Sequence, residues 1–170
     1  WDWTPTLMKK ANDLGMELFS SPFDITAVDY LESHNCPAYK IASCEITLND
    51  QTYKKVKANQ MSKGNVINIA HLAGITASKK THDLIPLCHQ IPLNKVDLSF
   101  EFDDSNNQIN IISYVSTDWK TGVEMEALVA VSVASLTIYD MCKSMDKSIT
   151  INKIQLQKKT GGKSGTYIRE

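Results

Sequence analysis

The stretch GVEMEALVAVSVASLTIYDMCK, residues 122–143, begins with two glutamates, ends with Asp140 and Lys143, and has no charged residue between Glu126 and Asp140. Its Ala, Leu and Val content predicts a long helix. A helix that is apolar all round is normally buried on all sides. In a chain of 170 residues, this indicates that another subunit helps to bury it. We therefore expect the charged ends to emerge at the rim of a subunit interface.

The two ends of this predicted helix differ in what their charges can do. Thr121 followed by Glu124 fits a capping box, and a ligand-binding role is the equal alternative for Glu124. Glu126 lies about 200° further around the helix, so regular geometry cannot bring both glutamates into one pocket. Asp140 and Lys143 are spaced i,i+3 and share a face. They predict an ion pair, which either complements the helix dipole or serves a site.

The segments on either side of the long helix predict an antiparallel sheet. The string VDLSFEFD (96–103) alternates, so one face of a strand carries Val96, Leu98, Phe100 and Phe102. The polar string DDSNNQ is typical of a turn, and a return strand is expected over 109–116. Another strand is expected over 148–157. This order indicates an α+β fold, with helices packed on one face of the sheet.

The first third of the chain predicts a different arrangement. We expect a helix over 5–14, a strand over 16–19, a second helix from 21 with Asp24 as its N-cap, and a strand over 37–43. This alternation is typical of a parallel β/α unit. A short helix over 48–61 follows, with Asn49 or Asp50 as its cap. The apolar string at 65–75 is interpreted as a buried strand.

The composition is that of an ordinary globular protein, with 42% hydrophobic and 22% charged residues. A formal charge of −1 gives no general attraction to nucleic acid, and charged residues interrupt the apolar runs. We therefore expect neither nucleic acid nor a membrane as a partner. The four cysteines form no C-x-x-C pair, which favours the cytoplasm, or the mitochondrial matrix in a eukaryotic cell. Because the chain starts with Trp1 rather than Met, we expect a piece of a longer protein.

Two loops carry further candidate groups. The string LIPLCHQIPL (84–93) is irregular because of its prolines, and it presents Cys88 beside His89. Neighbours in sequence seldom have the geometry of a nucleophile and its base. The string TGGKSG (160–165) is not a Walker loop, because Gln157 stands where the first glycine belongs. Its backbone amides remain suited to an anion nest.

Three strings together are more specific than any one alone. In order and spacing, KGNVINIAHLAGITASKKTHDLIPLCHQIPL (63–93), KTGVEMEALVAVSVASLTIYDMCK (120–143) and KKTGGKSG (158–165) resemble the MoaC family, the cyclic pyranopterin monophosphate synthases of molybdenum cofactor biosynthesis. The resemblance covers about residues 42–170. It implies a ferredoxin-like α+β fold and a homo-oligomer, a hexamer built as a trimer of dimers, with active sites between subunits.

The resemblance also implies an activity and a set of residues. The enzyme would be a lyase that converts 3′,8-cyclo-7,8-dihydro-GTP to cyclic pyranopterin monophosphate and pyrophosphate, with no metal or redox cofactor. The catalytic residues would be Asp140, Lys143 and Lys63. The substrate-binding residues would be Leu87, Cys88, His89, Glu124, Met125, Glu126, Lys79 and Lys163. The chemistry agrees, because a triphosphate needs several cations and ring opening needs proton donors and acceptors.

The chain departs from the family pattern in two places. Trp119 stands where the family usually has Gly, and the family's N-terminal segment with its MVDV string is missing. Residues 7–45 instead resemble two steps of the N-acetylneuraminate (sialic acid) synthase barrel. That resemblance would give Lys40, Ser43 and Ser21 contacts to phosphoenolpyruvate. We therefore expect a fragment over 1–41 and a catalytic domain over 42–170. The alternatives are an inactive MoaC-like scaffold and, less favoured, a phosphoenolpyruvate-binding fragment.

Overall fold

The computed structural model describes residues 4–14, 39–119, 121–161 and 165–170. The chain divides into two compact units, residues 1–38 and Tyr39–Glu170. In the first unit the structure describes helix α1, Thr4–Asp13, which confirms the helix predicted over 5–14. The strand at 16–19 and the helix with Asp24 as its cap lie outside the described residues.

The second unit is built on a five-stranded antiparallel sheet. Its strands are β1 (Tyr39–Thr47), β2 (Lys95–Asp103), β3 (Gln108–Ser116), β4 (Thr150–Lys159) and β5 (Tyr167–Ile168). The order across the sheet is β2-β3-β1-β4-β5. The predicted hairpin is confirmed as β2 and β3, in which Leu98 and Ser113 are direct partners. The strand predicted over 148–157 is confirmed as β4.

The parallel pairing predicted for the strand at 37–43 is wrong. Strand β1 starts at Tyr39 and pairs antiparallel with β3 on one side and with β4 on the other. Its inward residues Ala42, Cys44 and Ile46 are fully buried, while the residues between them are only half-buried. This alternation is the pattern of a strand covered on one face, as in an antiparallel sheet, whereas parallel strands are normally covered on both.

Four helices complete the unit: α2 (Asp50–Lys57), α3 (Val66–Ser78), α4 (Thr81–Leu84) and α5 (Glu124–Cys142). The side chain of Asn49 accepts a bond from the Thr52 amide, which settles the cap of α2. The strand predicted at 65–75 is wrong, because these residues form α3. Asn65 caps this helix by accepting from the Asn68 amide. In a short run of apolar residues, the hydrophobic periodicity cannot distinguish a buried strand from a buried helix.

Helix α5 lies across the sheet and α3 packs beside it. The contact with the sheet is made by small and branched side chains that are fully buried, among them Ala127, Ala130, Ala134 and Ile138. They meet Ile109, Ile111 and Val115 of β3 in one core cluster. By length and composition α5 would also suffice to cross a membrane, but core helices of globular domains pass the same test. The described part of the chain therefore has the predicted α+β arrangement.

Gly74 sets the distance between α3 and α5. A Cβ at this position would lie 2.7 Å from Leu98 Cδ2 and 2.9 Å from the Ala130 carbonyl oxygen. The leucine can change rotamer, but a backbone carbonyl inside a packed helix cannot move away without shifting the helix. A side chain at position 74 would therefore push α3 off α5.

We predict that Gly74→Ala destabilises the protein. The steric cost of overpacking, about 1–3 kcal/mol, exceeds the gain in helix propensity of up to about 1 kcal/mol. Gln51→Ala, at an exposed position of helix α2, should change the free energy of unfolding by less than about 0.5 kcal/mol. Denaturant unfolding of both variants measures the difference. Equal stability of the two variants would contradict the packing described for Gly74.

Candidate active site

Three charged side chains meet at the carboxyl end of α5. Lys143 Nζ lies 2.6 Å from Asp140 Oδ1, and Lys63 Nζ lies 3.6 Å from Asp140 Oδ2. Lys63 Nζ also donates a hydrogen bond of 2.9 Å to the backbone carbonyl of Asp140. All three side chains are about half exposed, between 45% and 60%. One carboxylate thus stands between two ammonium groups, within reach of a ligand.

The fold fixes this cluster from two directions. Lys63 lies in the turn between α2 and α3, where Gly64 takes a φ of +96°, a conformation that side chains rarely adopt. Asp146 holds the chain just after α5, because its carboxylate accepts bonds from the Asn49 and Ser148 amides. Lys63 binds one of the carbonyls that the end of α5 leaves unpaired. The three charges are therefore placed by backbone contacts as well as by their mutual attraction.

The cluster sets the charge of its members. The bond from Lys143, with Lys63 nearby, holds the pKa of Asp140 below its ordinary value. The same bond raises the pKa of Lys143. At neutral pH, Asp140 is therefore ionised and Lys143 carries a proton. Because the ion pair stabilises both charged forms, Lys143 is a weaker acid and Asp140 a weaker base while they are paired. Proton transfer therefore requires the lysine to turn from Asp140 to the ligand.

A second group of side chains lies at the amino end of α5. Glu126 is buried, and burial raises the pKa of its carboxyl, with Glu124 adding to the shift. Cys88 is half-buried, and burial together with the charge of Glu126 raises the pKa of its thiol. His82 acts on Glu126 in the opposite direction. A thiol held neutral in this way is a poor nucleophile, so Cys88 is suited to contact a ligand rather than to attack it.

Glu124 does not cap the helix. The N-cap of α5 is Val123, with no bond from a side chain, so the capping-box interpretation is wrong. Glu124 Oε1 lies 3.5 Å from Lys40 Nζ and 3.8 Å from Lys159 Nζ. Its carboxylate also lies directly over Gly122, where a Cβ would collide with it. The two cations draw the carboxylate away from the amides that a capping box would satisfy.

An open cleft of about 530 Å³ adjoins this group. It is lined by Glu124, Leu156, Lys159, Thr166, Tyr167 and Arg169. Lys159 supplies a positive charge and Glu124 a negative charge to this cleft. Arg169 Nε donates a hydrogen bond to the Leu156 carbonyl. In the described part of the chain, no three His, Cys, Asp or Glu side chains are grouped so that they could hold a metal ion.

Comparison with known proteins identifies the family. The model of the MoaC family matches residues 28–162. This chain belongs to the MoaC family. It is similar to the cyclic pyranopterin monophosphate synthase of Heliobacterium modesticaldum, with 54% identity over 130 residues, 76% of this chain and 82% of the relative. The enzymes of that name from Listeria welshimeri and Clostridium acetobutylicum are 50% and 45% identical, each over 84% of this chain and 89% and 88% of the relative.

The MoaC match starts earlier than the motifs indicated. It begins at residue 28 rather than 42, inside the segment that resembles a sialic acid synthase, and none of these comparisons supports that second resemblance. The expected contacts to phosphoenolpyruvate do not form one site either. Lys40 is buried on the helix side of β1, whereas Ser43 is on the opposite face and accepts a bond from Gln157. Ser21 lies outside the described residues.

The predicted MoaC site residues fall into separate places. Asp140, Lys143 and Lys63 form the cluster at the carboxyl end of α5. Most of the predicted substrate-binding residues lie at or near its amino end, and this group comprises Leu87, Cys88, His89, Glu124, Met125 and Glu126. At a rise of about 1.5 Å per residue, the two ends are about 24 Å apart. Lys79 is exposed at the end of α3, and Lys163 lies outside the described residues.

The sequence prediction did not place three residues of the amino-terminal group in the MoaC site, although it named Lys40 as a contact to phosphoenolpyruvate. Lys40 and Lys159 are direct partners across β1 and β4, and both face Glu124. Only the register between two strands far apart in sequence reveals that pair. His82 is close enough to influence Glu126. No local pattern distinguished it from an ordinary surface histidine.

We predict that Lys143→Met raises the pKa of Asp140 toward its ordinary value, because the largest cause of the depression is removed. The ion pair is present above the pKa of Asp140 and is lost as the pH falls through it. Carbon-detected NMR titration of the Asp140 carboxyl group measures this pKa in the unmodified protein and in Lys143→Met. Lys54→Met, which breaks the exposed pair with Asp50, serves as the control and should leave Asp140 unchanged. An unchanged pKa in Lys143→Met would contradict the pairing.

Proposed function

We propose that this chain is a cyclic pyranopterin monophosphate synthase, a lyase that converts 3′,8-cyclo-7,8-dihydro-GTP to cyclic pyranopterin monophosphate and pyrophosphate in molybdenum cofactor biosynthesis. Membership of the MoaC family and about 50% identity to enzymes of that name support this activity. The observation that carries the proposal is the cluster of Lys63, Asp140 and Lys143. It supplies a protonated donor and an ionised acceptor side by side.

The cluster suits a rearrangement in which one ring opens and another closes. Such a reaction moves protons to and from the same molecule, so it needs an acid and a base in one place. Lys143 would give a proton while Asp140 receives one. Lys63, already bound to the carbonyl of Asp140, would stabilise negative charge that develops on the substrate. The neutral thiol of Cys88 and the buried Glu126 would hold the substrate rather than react with it.

The active site is proposed to be shared between two subunits. Catalytic groups act at about 3–3.5 Å from the reacting atoms, so groups about 24 Å apart on one helix cannot serve the same atoms. A second copy of the chain would bring the amino end of its own α5 to the carboxyl end of the first. We therefore propose a homo-oligomer, a hexamer built as a trimer of dimers, located in the cytoplasm.

Exposed apolar side chains support this assembly. Leu72 on α3 and Leu136 on α5 are 66% and 56% exposed, although both helices otherwise pack in the core. Leu87, in the loop that carries Cys88, is 92% exposed. Apolar side chains grouped on a helix pair are typical of a subunit interface. Their burial would also explain why α5 is apolar on the side that faces away from the sheet.

A second candidate is an inactive scaffold with the MoaC fold, suggested by Trp119. The side chain of Trp119 is 57% exposed, and its amide donates to Thr117 Oγ1 in the loop before α5. An exposed indole at this point would narrow the approach to Glu124 only if it folded inward. We favour the enzyme because the three charged residues of the carboxyl-terminal cluster are present and paired.

Asp140→Asn should lower the rate of pyrophosphate release from 3′,8-cyclo-7,8-dihydro-GTP by at least about 10²-fold, the usual loss for a proton-transfer group. Folding should be retained, since the side chain is 60% exposed. Asp50→Asn is the matched control, because Asp50 is 61% exposed and paired with Lys54 at 2.9 Å. The rate of pyrophosphate release by Asp50→Asn should stay within about twofold of the rate of the unmodified protein. Turnover of Asp140→Asn close to that of the control would refute the catalytic assignment. An unmodified chain that releases no pyrophosphate would favour the scaffold.

Lys63→Ala and Lys79→Ala should differ in kind. Loss of Lys63 removes a group that contacts Asp140, so we expect a fall in kcat. Loss of Lys79 removes one of several phosphate contacts, so KM should rise about ten- to a hundredfold while kcat changes little. The KM effect should shrink at high salt. Steady-state kinetics of both variants, with Lys54→Ala as control, separates the two roles. If both variants showed the same rise in KM and an unchanged kcat, Lys63 would bind phosphate and would not be catalytic.

A further inference from the structure

The buried ammonium of Lys40 is paired with Glu124 but takes no part in the proposed chemistry. Only 1% of its side chain is exposed, which makes it the largest fully buried side chain in the described part of the unit. Burying a charged lysine is unfavourable unless its charge is paired and its protons are bonded. In a chain with many exposed lysines, a buried one therefore requires a specific set of partners.

Lys40 has two such partners at the amino end of α5. Its Nζ donates a hydrogen bond of 2.8 Å to the backbone carbonyl of Thr160 and lies 3.5 Å from Glu124 Oε1. Thr160 is the first residue of the TGGKSG string. It is also bonded to Tyr39, which gives its amide to Thr160 Oγ1 and accepts the Thr160 amide at its own carbonyl. Lys40 therefore touches both the helix end and the start of the glycine-rich string.

Lys40 also stands directly opposite Lys159 in the sheet. Like charges in facing positions of neighbouring strands repel each other. Glu124 Oε1 lies within 4 Å of both ammonium groups and compensates that repulsion. Gly122 leaves the space in which the carboxylate sits. The carboxylate of Glu124 is thus held between two cations, one fully buried and one that lines the cleft.

We propose that Lys40 is a positioning residue, whose buried ammonium fixes the carboxylate of Glu124 beside Lys159 at the cleft. This inference rests on the proposed function, with Glu124 as one of the substrate-binding residues that the MoaC resemblance implies. A carboxylate in a fixed place accepts hydrogen bonds from a ligand, whereas a mobile one binds the ligand less well. Lys40 itself, being buried, does not reach the ligand. It acts through Glu124 and through the anchored carbonyl of Thr160.

The first test measures the pair without any catalytic assay. Burial lowers the pKa of Lys40, Glu124 opposes that shift, and Lys159 adds to it. In an NMR titration of lysine Cε carbons, Glu124→Gln should therefore lower the pKa of Lys40 further. Lys159→Met should raise it. A pKa of Lys40 that does not fall in Glu124→Gln would overturn the proposal, whether or not the chain is a synthase.

The second test separates positioning from simple structural support. Lys40→Met keeps much of the side-chain volume and removes the charge. In the unmodified background it should raise the KM for 3′,8-cyclo-7,8-dihydro-GTP about tenfold, while in a Glu124→Gln background it should change KM less than about twofold. The same factor in both backgrounds would mean that Lys40 only supports the fold, and would overturn the proposal. A lack of activity in the unmodified protein would instead count against the proposed function, and the titration would still decide the role of Lys40.

Discussion

Helix α5 packs against the sheet through a face of alanines, and this contact fixes the charged groups at both ends of the helix in the candidate site. Ala127, Ala130 and Ala134 are fully buried and allow the helix axis to approach the strands closely. The Ser113 hydroxyl on β3 donates to the Ala127 carbonyl and fixes the helix along its own axis. Because the helix cannot slide or rotate, both its ends have fixed places.

The polar residues in the middle of α5 do not weaken this packing. Ser132 and Thr137 donate their hydroxyl protons to carbonyls four residues earlier, and Ser135 donates to a carbonyl three residues earlier. Their hydrogen bonds are thus satisfied within the helix, so they can be buried at little cost. The charged side chains of the helix all stand near its two ends. One end carries an exposed cluster suited to proton transfer, and the other a half-buried group suited to binding.

Several parts of this arrangement could be predicted from the sequence because they depend on local periodicity. The alternation of β2, the spacing of Asp140 and Lys143, and the cap at Asn49 involve residues a few positions apart. Helix α3 could not be predicted from the sequence, because a short apolar run fits a buried helix and a buried strand equally well. The ion pairs of Glu124 with Lys40 and Lys159 could not be predicted either. They compete with a local helix cap, and they depend on the register of two strands that are far apart in sequence.

In the proposed oligomer, one active site combines the carboxyl end of α5 from one subunit with the amino end of α5 from another. Mixed oligomers of Asp140→Asn and Glu126→Gln test it, since each variant alone has a defect in all of its sites. After unfolding and refolding together in equal amounts, half of the dimers should be mixed. Each mixed dimer should hold one intact site of two, so about a quarter of the unmodified activity should return. Activity no greater than the average of the two variants measured separately would contradict a shared site.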